Sequence, residues 1–122
     1  MEEKRKSPRL TELVDVFYNK CGSTEREKLS IAKDISKGGI CLIAYEEFKK
    51  LDYLDLKISL PECQGIINAL GEVTWVKEFV VGDDESGERR YSVGIKFIKI
   101  DGHDQELIAQ FVNSLIEKIK KF

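Results

Sequence analysis

From residue 12 to residue 98 apolar side chains recur at every second position, and that period of two constrains the fold more than any other feature of the chain. Successive side chains of a strand point to opposite faces, so the alternation marks strands with one buried face. Val14, Val16 and Tyr18 alternate with Asp15, Phe17 and Asn19 until Cys21-Gly22-Ser23-Thr24 ends the run as a turn. Leu29 and Ile31 alternate with Lys28 and Ser30 in a second strand that ends near Asp34. After Gly38-Gly39, residues 40–45 form a continuous apolar run, suited to a strand covered on both faces. Leu54, Leu56, Ile58 and Leu60 define a fourth strand, closed by Pro61. Ile67, Ala69, Gly71, Val73 and Trp75 share one parity in a fifth, which places Trp75 in the core, and Tyr91, Val93, Ile95 and Phe97 give a sixth.

The polar stretch 82–88 joins the last two strands as a hairpin, and its acidic residues lack the spacing of a calcium loop. Six strands with short connections predict an all-β fold, a six-stranded antiparallel β-barrel, because closure removes the exposed edges an open sheet would leave. The period changes once. From Gln105 the apolar residues Leu107, Ile108, Phe111, Val112, Leu115, Ile116 and Ile119 form the stripe of a C-terminal α-helix that must dock on the barrel or on a partner. Asp101 or Asp104 is placed to cap it. Residues 1–10 read as a flexible basic N-terminal arm, and residues 11–122 as the barrel plus helix.

Composition narrows the chemistry. A net charge of −2 argues against a broad polyanion surface, so no nucleic acid strand is expected as partner. No apolar run reaches the roughly 18–20 residues that span a bilayer, and the N-terminus has no apolar signal region, so no membrane insertion and a cytoplasmic location are expected. Cys21, Cys41 and Cys63 show no paired spacing and predict buried or half-buried reduced thiols rather than a metal site. The lone His103 lies in the loop before the helix with no orienting partner nearby, and no nucleophile elbow, phosphate loop or metalloprotease motif occurs. Neither catalytic residues nor a cofactor are indicated, and the chain is not expected to be an enzyme.

Two short motifs remain. Arg5-Lys6-Ser7-Pro8-Arg9 is an RxxxR within an arm that also holds Lys4. Residues 1–9 carry four basic and two acidic side chains, a local charge of +2 that leaves −4 for residues 10–122. Asp34-Ile35-Ser36-Lys37-Gly38-Gly39 is a DxSxxG between the second and third strands. Taken singly, the first is a solubilising tail and the second an ordinary turn in which glycine supplies a positive φ. Their co-occurrence, in this order, on six strands followed by a helix, is far less ordinary.

The pair resembles the PilZ domain family of bacterial cyclic di-GMP receptors, as a stand-alone, single-domain member. Gly71-Glu72-Val73-Thr74-Trp75 and Tyr91-Ser92-Val93-Gly94-Ile95-Lys96-Phe97 resemble the family's G-x-V-x-W and closing strands. The resemblance implies that Arg5 and Arg9 grip guanine and phosphate, a role suited to the planar guanidinium fork. It also implies that Asp34 accepts from the guanine Watson–Crick edge, that Ser36 adds a polar contact, and that Gly38 and Gly39 let the backbone approach the ligand. Lys4 and Lys37 are candidate phosphate contacts. The basic residue at position 4 leaves one or two cyclic di-GMP per chain open. The implied mechanism is a switch: ligand orders the N-terminal arm and changes the surface offered to an unidentified protein effector. The alternative is a PilZ-fold interaction adaptor that does not bind nucleotide. A barrel that binds single-stranded nucleic acid would need a basic groove, which the acidic barrel segment lacks.

Overall fold

The computed structural model describes residues 14–61, 65–82 and 87–120, with backbone alone for 118–120. Six strands and one helix follow in order: β1 (Asp15–Lys20), β2 (Lys28–Ser36), β3 (Gly39–Ala44), β4 (Tyr53–Ser59), β5 (Ile67–Val81), β6 (Glu88–Ile100) and α1 (Gly102–Lys120). Every pairing is antiparallel, and the order β1-β2-β3-β6-β5-β4 closes through the β1–β4 ladder into a barrel.

The alternation read from sequence fills this barrel. Val14, Val16 and Tyr18 point inward with Leu54, Leu56 and Ile58, and Ile40 and Leu42 stand beside their cross-strand partners Ile95 and Val93 in the same core, with Ala44. The Tyr18 ring meets Phe48 edge-on at 5.8 Å between centroids. At roughly 1.5–3 kcal/mol for each fully buried large apolar side chain, these positions supply most of the drive to close the sheet.

The second strand departs from its expected parity. Leu29 and Ile31 are 53% and 45% exposed, whereas Ser30 and Ala32 are buried. The cause lies across the sheet: Val16 faces inward and pairs with Ser30, which puts Leu29 outside beside Phe17. Ser30 tolerates burial because its hydroxyl donates to the Ile43 carbonyl. Cys21 also departs from expectation, being exposed, while Cys41 is buried.

Helix α1 docks on the barrel. Ile108 and Leu115 are buried, and Leu107, Phe111 and Val112 pack against the core. Asp101 is the cap: its Oδ1 accepts from the His103 amide at 2.8 Å and its carbonyl from the Gln105 amide at 3.0 Å. No helix among the described residues is long and apolar enough to cross a membrane.

Candidate functional site

Two β-bulges decide what faces outward near the β2–β3 turn. In β2, Ala32 pairs with Leu42 and Asp34 with Cys41, so Lys33 is an extra residue. In β5, Val73 pairs with Ile95 and Trp75 with Gly94, so Thr74 is extra. Each insertion reverses the alternation beyond it. Ile35 therefore turns inward and Asp34 outward, while Val76 packs against the core and Trp75 lies 46% exposed. The expectation that Trp75 is a core residue is thus overturned, and the bulge is the physical reason.

The reversed residues meet in cross-strand register. Asp34, Cys41, Gly94 and Trp75 form one row across β2, β3, β6 and β5, and Ser36, Gly39, Lys96 and Glu72 form the next row. At about 4.8 Å between strands, the ends of a row stand roughly 14 Å apart. Between them lies a hollow of about 350 Å³ whose lining includes Asp34, Ser36, Gly39, Trp75, Gly94 and Lys96. That volume falls toward the lower end of ligand pockets, which run about 300–1,000 Å³.

Small residues form the floor for steric reasons. A Cβ on Gly94 would lie 2.0 Å from Trp75 Nε1, so the indole rests against bare backbone. A Cβ on Gly39 would lie 2.3 Å from the Ile95 carbonyl oxygen, so β3 and β6 approach closely there because residue 39 has no side chain. Neither Gly38 nor Gly39 has a positive φ; among the described residues that conformation belongs to Gly22, Gly65, Gly82 and the non-glycine Leu51. The turn reading of the glycine pair is corrected accordingly: Gly39 is needed for strand packing, and a Cβ on Gly38 would meet nothing within 4 Å.

The polar groups are held firmly. Asp34 is half-buried, with its Oδ1 sealed from solvent. Ser36 Oγ donates to the Gly39 carbonyl at 3.4 Å, which spans the turn. The Phe97 amide donates to the Gly38 carbonyl at 2.9 Å, and Gln105 Nε2 donates to the Lys37 carbonyl at 3.1 Å. The turn is therefore tied to both β6 and α1. Lys37 Nζ lies 2.9 Å from Glu106 Oε1 on the helix rather than lining the hollow.

Of the residues singled out in the sequence, Asp34, Ser36, Gly38 and Gly39 come together around this hollow. Lys4, Arg5 and Arg9 lie outside the described residues. Sequence reasoning missed Trp75 and Lys96. A signal for the first was present: the apolar doublet Trp75-Val76 interrupts strict alternation, which is what an inserted strand residue produces. Lys96 carries no such mark, because only its pairing with Gly39 brings it to the site.

Fold and site together define a class, the small antiparallel barrel domain whose outer wall carries a compact hollow of mixed polar and apolar lining. Residues 3–114 match the PilZ domain, and the chain belongs to that family. The apo structure of K. pneumonia MrkH superposes with a TM-score of 0.78 at 21% identity, covering 99% of this chain and 54% of MrkH. The MrkH complex with c-di-GMP matches at 25% identity and a TM-score of 0.69, covering 98% of this chain and 54% of that one. The PilZ domain of Escherichia coli YcgR, solved with c-di-GMP, matches at 13% identity and a TM-score of 0.67, covering 98% of this chain and 96% of that one. Bacillus subtilis MotI/DgrA, an inhibitor of motility, matches at 22% identity and a TM-score of 0.64, covering 98% of this chain and 54% of its own. The chain thus spans about half the length of MrkH and of MotI. No curated protein matches the sequence.

Proposed function

We propose that this chain is a cyclic di-GMP receptor whose ligand sits in the hollow between Asp34 and Trp75. The observation that carries the reading is the cross-strand row itself, which sets a carboxylate at one end and an exposed indole at the other over a glycine floor. A guanine fits that chemistry. Its N1–H and N2–H groups donate to Asp34, and its ring stacks on Trp75, a contact worth about 1–3 kcal/mol per base. The Lys96 ammonium and the Ser36 hydroxyl suit the phosphate and sugar. Arg5 and Arg9 of the RxxxR motif supply the forks for the guanine Hoogsteen edge and a phosphate, and in gripping the ligand they order the arm over the hollow. The changed surface then signals by contact with a protein effector.

Support comes from the family match, which reaches both motifs, and from YcgR and MrkH, each solved with c-di-GMP. The earlier exclusion of nucleic acid, argued from charge, does not extend to assemblies built on this fold, since MrkH is described as a c-di-GMP-dependent transcription regulatory factor. Calorimetric titration of the folded protein with cyclic di-GMP tests the reading. Arg5→Ala and Arg9→Ala should each weaken binding by about 1–3 kcal/mol, the size of a bidentate guanine contact. Absence of heat at micromolar concentrations would instead favour the adaptor that binds no nucleotide.

A further inference from the structure

The β2–β3 turn presents a lysine between two residues of the hollow, yet that lysine is already engaged. Lys37 lies between Ser36 and Gly38, both of which line the hollow, and its ammonium stands 2.9 Å from the Glu106 carboxylate. Both side chains are more than half exposed, at 57% and 58%, so the pair is weak and exchanges readily. The backbone of its partner is anchored: Glu106 begins the second turn of α1, one residue after Gln105, which holds the Lys37 carbonyl, and Asp101 caps the helix. The helix therefore presents a carboxylate within reach of the cation carried by the turn.

We infer that Glu106 is a built-in competitor for Lys37, holding the ammonium on α1 until a ligand phosphate takes it. The inference rests on the proposed nucleotide reading and adds a residue outside both motifs that sets the affinity of the site. The exchange has two consequences. Binding carries the cost of breaking the Lys37–Glu106 pair, and the released carboxylate loosens the tie between α1 and the turn. By linkage, whatever engages Glu106 from outside favours the ligand equally.

The test is calorimetric titration of cyclic di-GMP into the wild type, Glu106→Gln, Lys37→Met and the double variant, at low salt and in added salt. Glu106→Gln should bind about two- to fivefold more tightly, the range an exposed ion pair spans, and the gain should shrink in salt. In the Lys37→Met background the same substitution should change affinity little. A gain in affinity is not something damage to the fold produces, and melting curves of all four proteins check that each is folded. Equal affinities for wild type and Glu106→Gln would overturn the inference and leave the receptor reading standing. So would a gain that persists undiminished without Lys37, since that would mean simple repulsion by Glu106. Failure of folded wild type to bind would remove both readings together.

Discussion

Of two hollows on the barrel, the larger is not the one that gathers Asp34, Ser36 and Gly39. A trough of about 680 Å³ lies across β1, β4, β5 and β6, lined by Asn19, Asp55, Lys57, Asn68 and Lys99 among others, and has nearly twice the volume of the hollow at the β2–β3 turn. Two of its charged residues already have partners: Lys57 stands 2.6 Å from Glu27, and Asp55 accepts from the Cys21 thiol at 3.6 Å. The β1–β4 and β4–β5 ladders beneath it run without register shift, and the one shift in its β5–β6 ladder, between Leu70 and Gly71, leaves Ile98 exposed. At the smaller hollow the alternation breaks twice, and the break exposes an indole, uncovers glycine backbone and turns a carboxylate outward. Volume alone therefore does not pick out the hollow where Asp34, Ser36 and Trp75 gather; the shifts at Lys33 and Thr74 do.

Substitutions that separate the two hollows test that contrast. The largest effect is expected on stability at Gly39. Valine there places a Cβ against the Ile95 carbonyl, which no rotamer relieves, and should cost about 3 kcal/mol, lowering the melting temperature by roughly 10 °C or more. Gly38→Ala next door meets open space and should stay within about 0.5 kcal/mol by thermal melting. Next in size is the carboxylate pair. Asp34→Ala should weaken cyclic di-GMP binding by about 1–3 kcal/mol in calorimetry, while Asp55→Ala in the larger trough should leave it unchanged. Equal losses would erase the distinction. Trp75→Ala should cost about 1 kcal/mol of affinity. In the wild type the emission of this single tryptophan should shift on titration with ligand. Smallest is an effect internal to the larger trough. Partial desolvation of the otherwise exposed thiol, and then the Asp55 charge and hydrogen bond, push Cys21 up, so less thiolate is present at a given pH. Asp55→Asn should bring the thiol back down and speed its alkylation near pH 8.

The barrel was legible because period two and turn residues are local properties, and Val14, Val16, Leu54 and Ile58 carry them plainly. The helix was legible for the same reason, through Ile108, Phe111 and Leu115. What escaped were relations across the sheet. Leu29 and Ile31 look like an inward face until the register with β1 is known, and Trp75 looks like core until Thr74 is seen as an inserted residue. Asp34 and Ser36 were found through a motif, yet their partners Gly94 and Lys96 reach the site only through the β3–β6 ladder. The arm residues Lys4, Arg5 and Arg9 rest on the motif alone.

That ladder also has a kinetic meaning. The two halves of the hollow come from two hairpins, β2–β3 and β5–β6, each closed by nearby sequence, but Cys41 and Gly94 stand about fifty positions apart along the chain, and such distant pairings form slowly. Asp34 and Trp75 therefore share a hollow only once the hairpins have zipped together. A ligand bridging that seam has little to hold in a half-folded chain, so it should slow unfolding while leaving the rate of folding almost untouched.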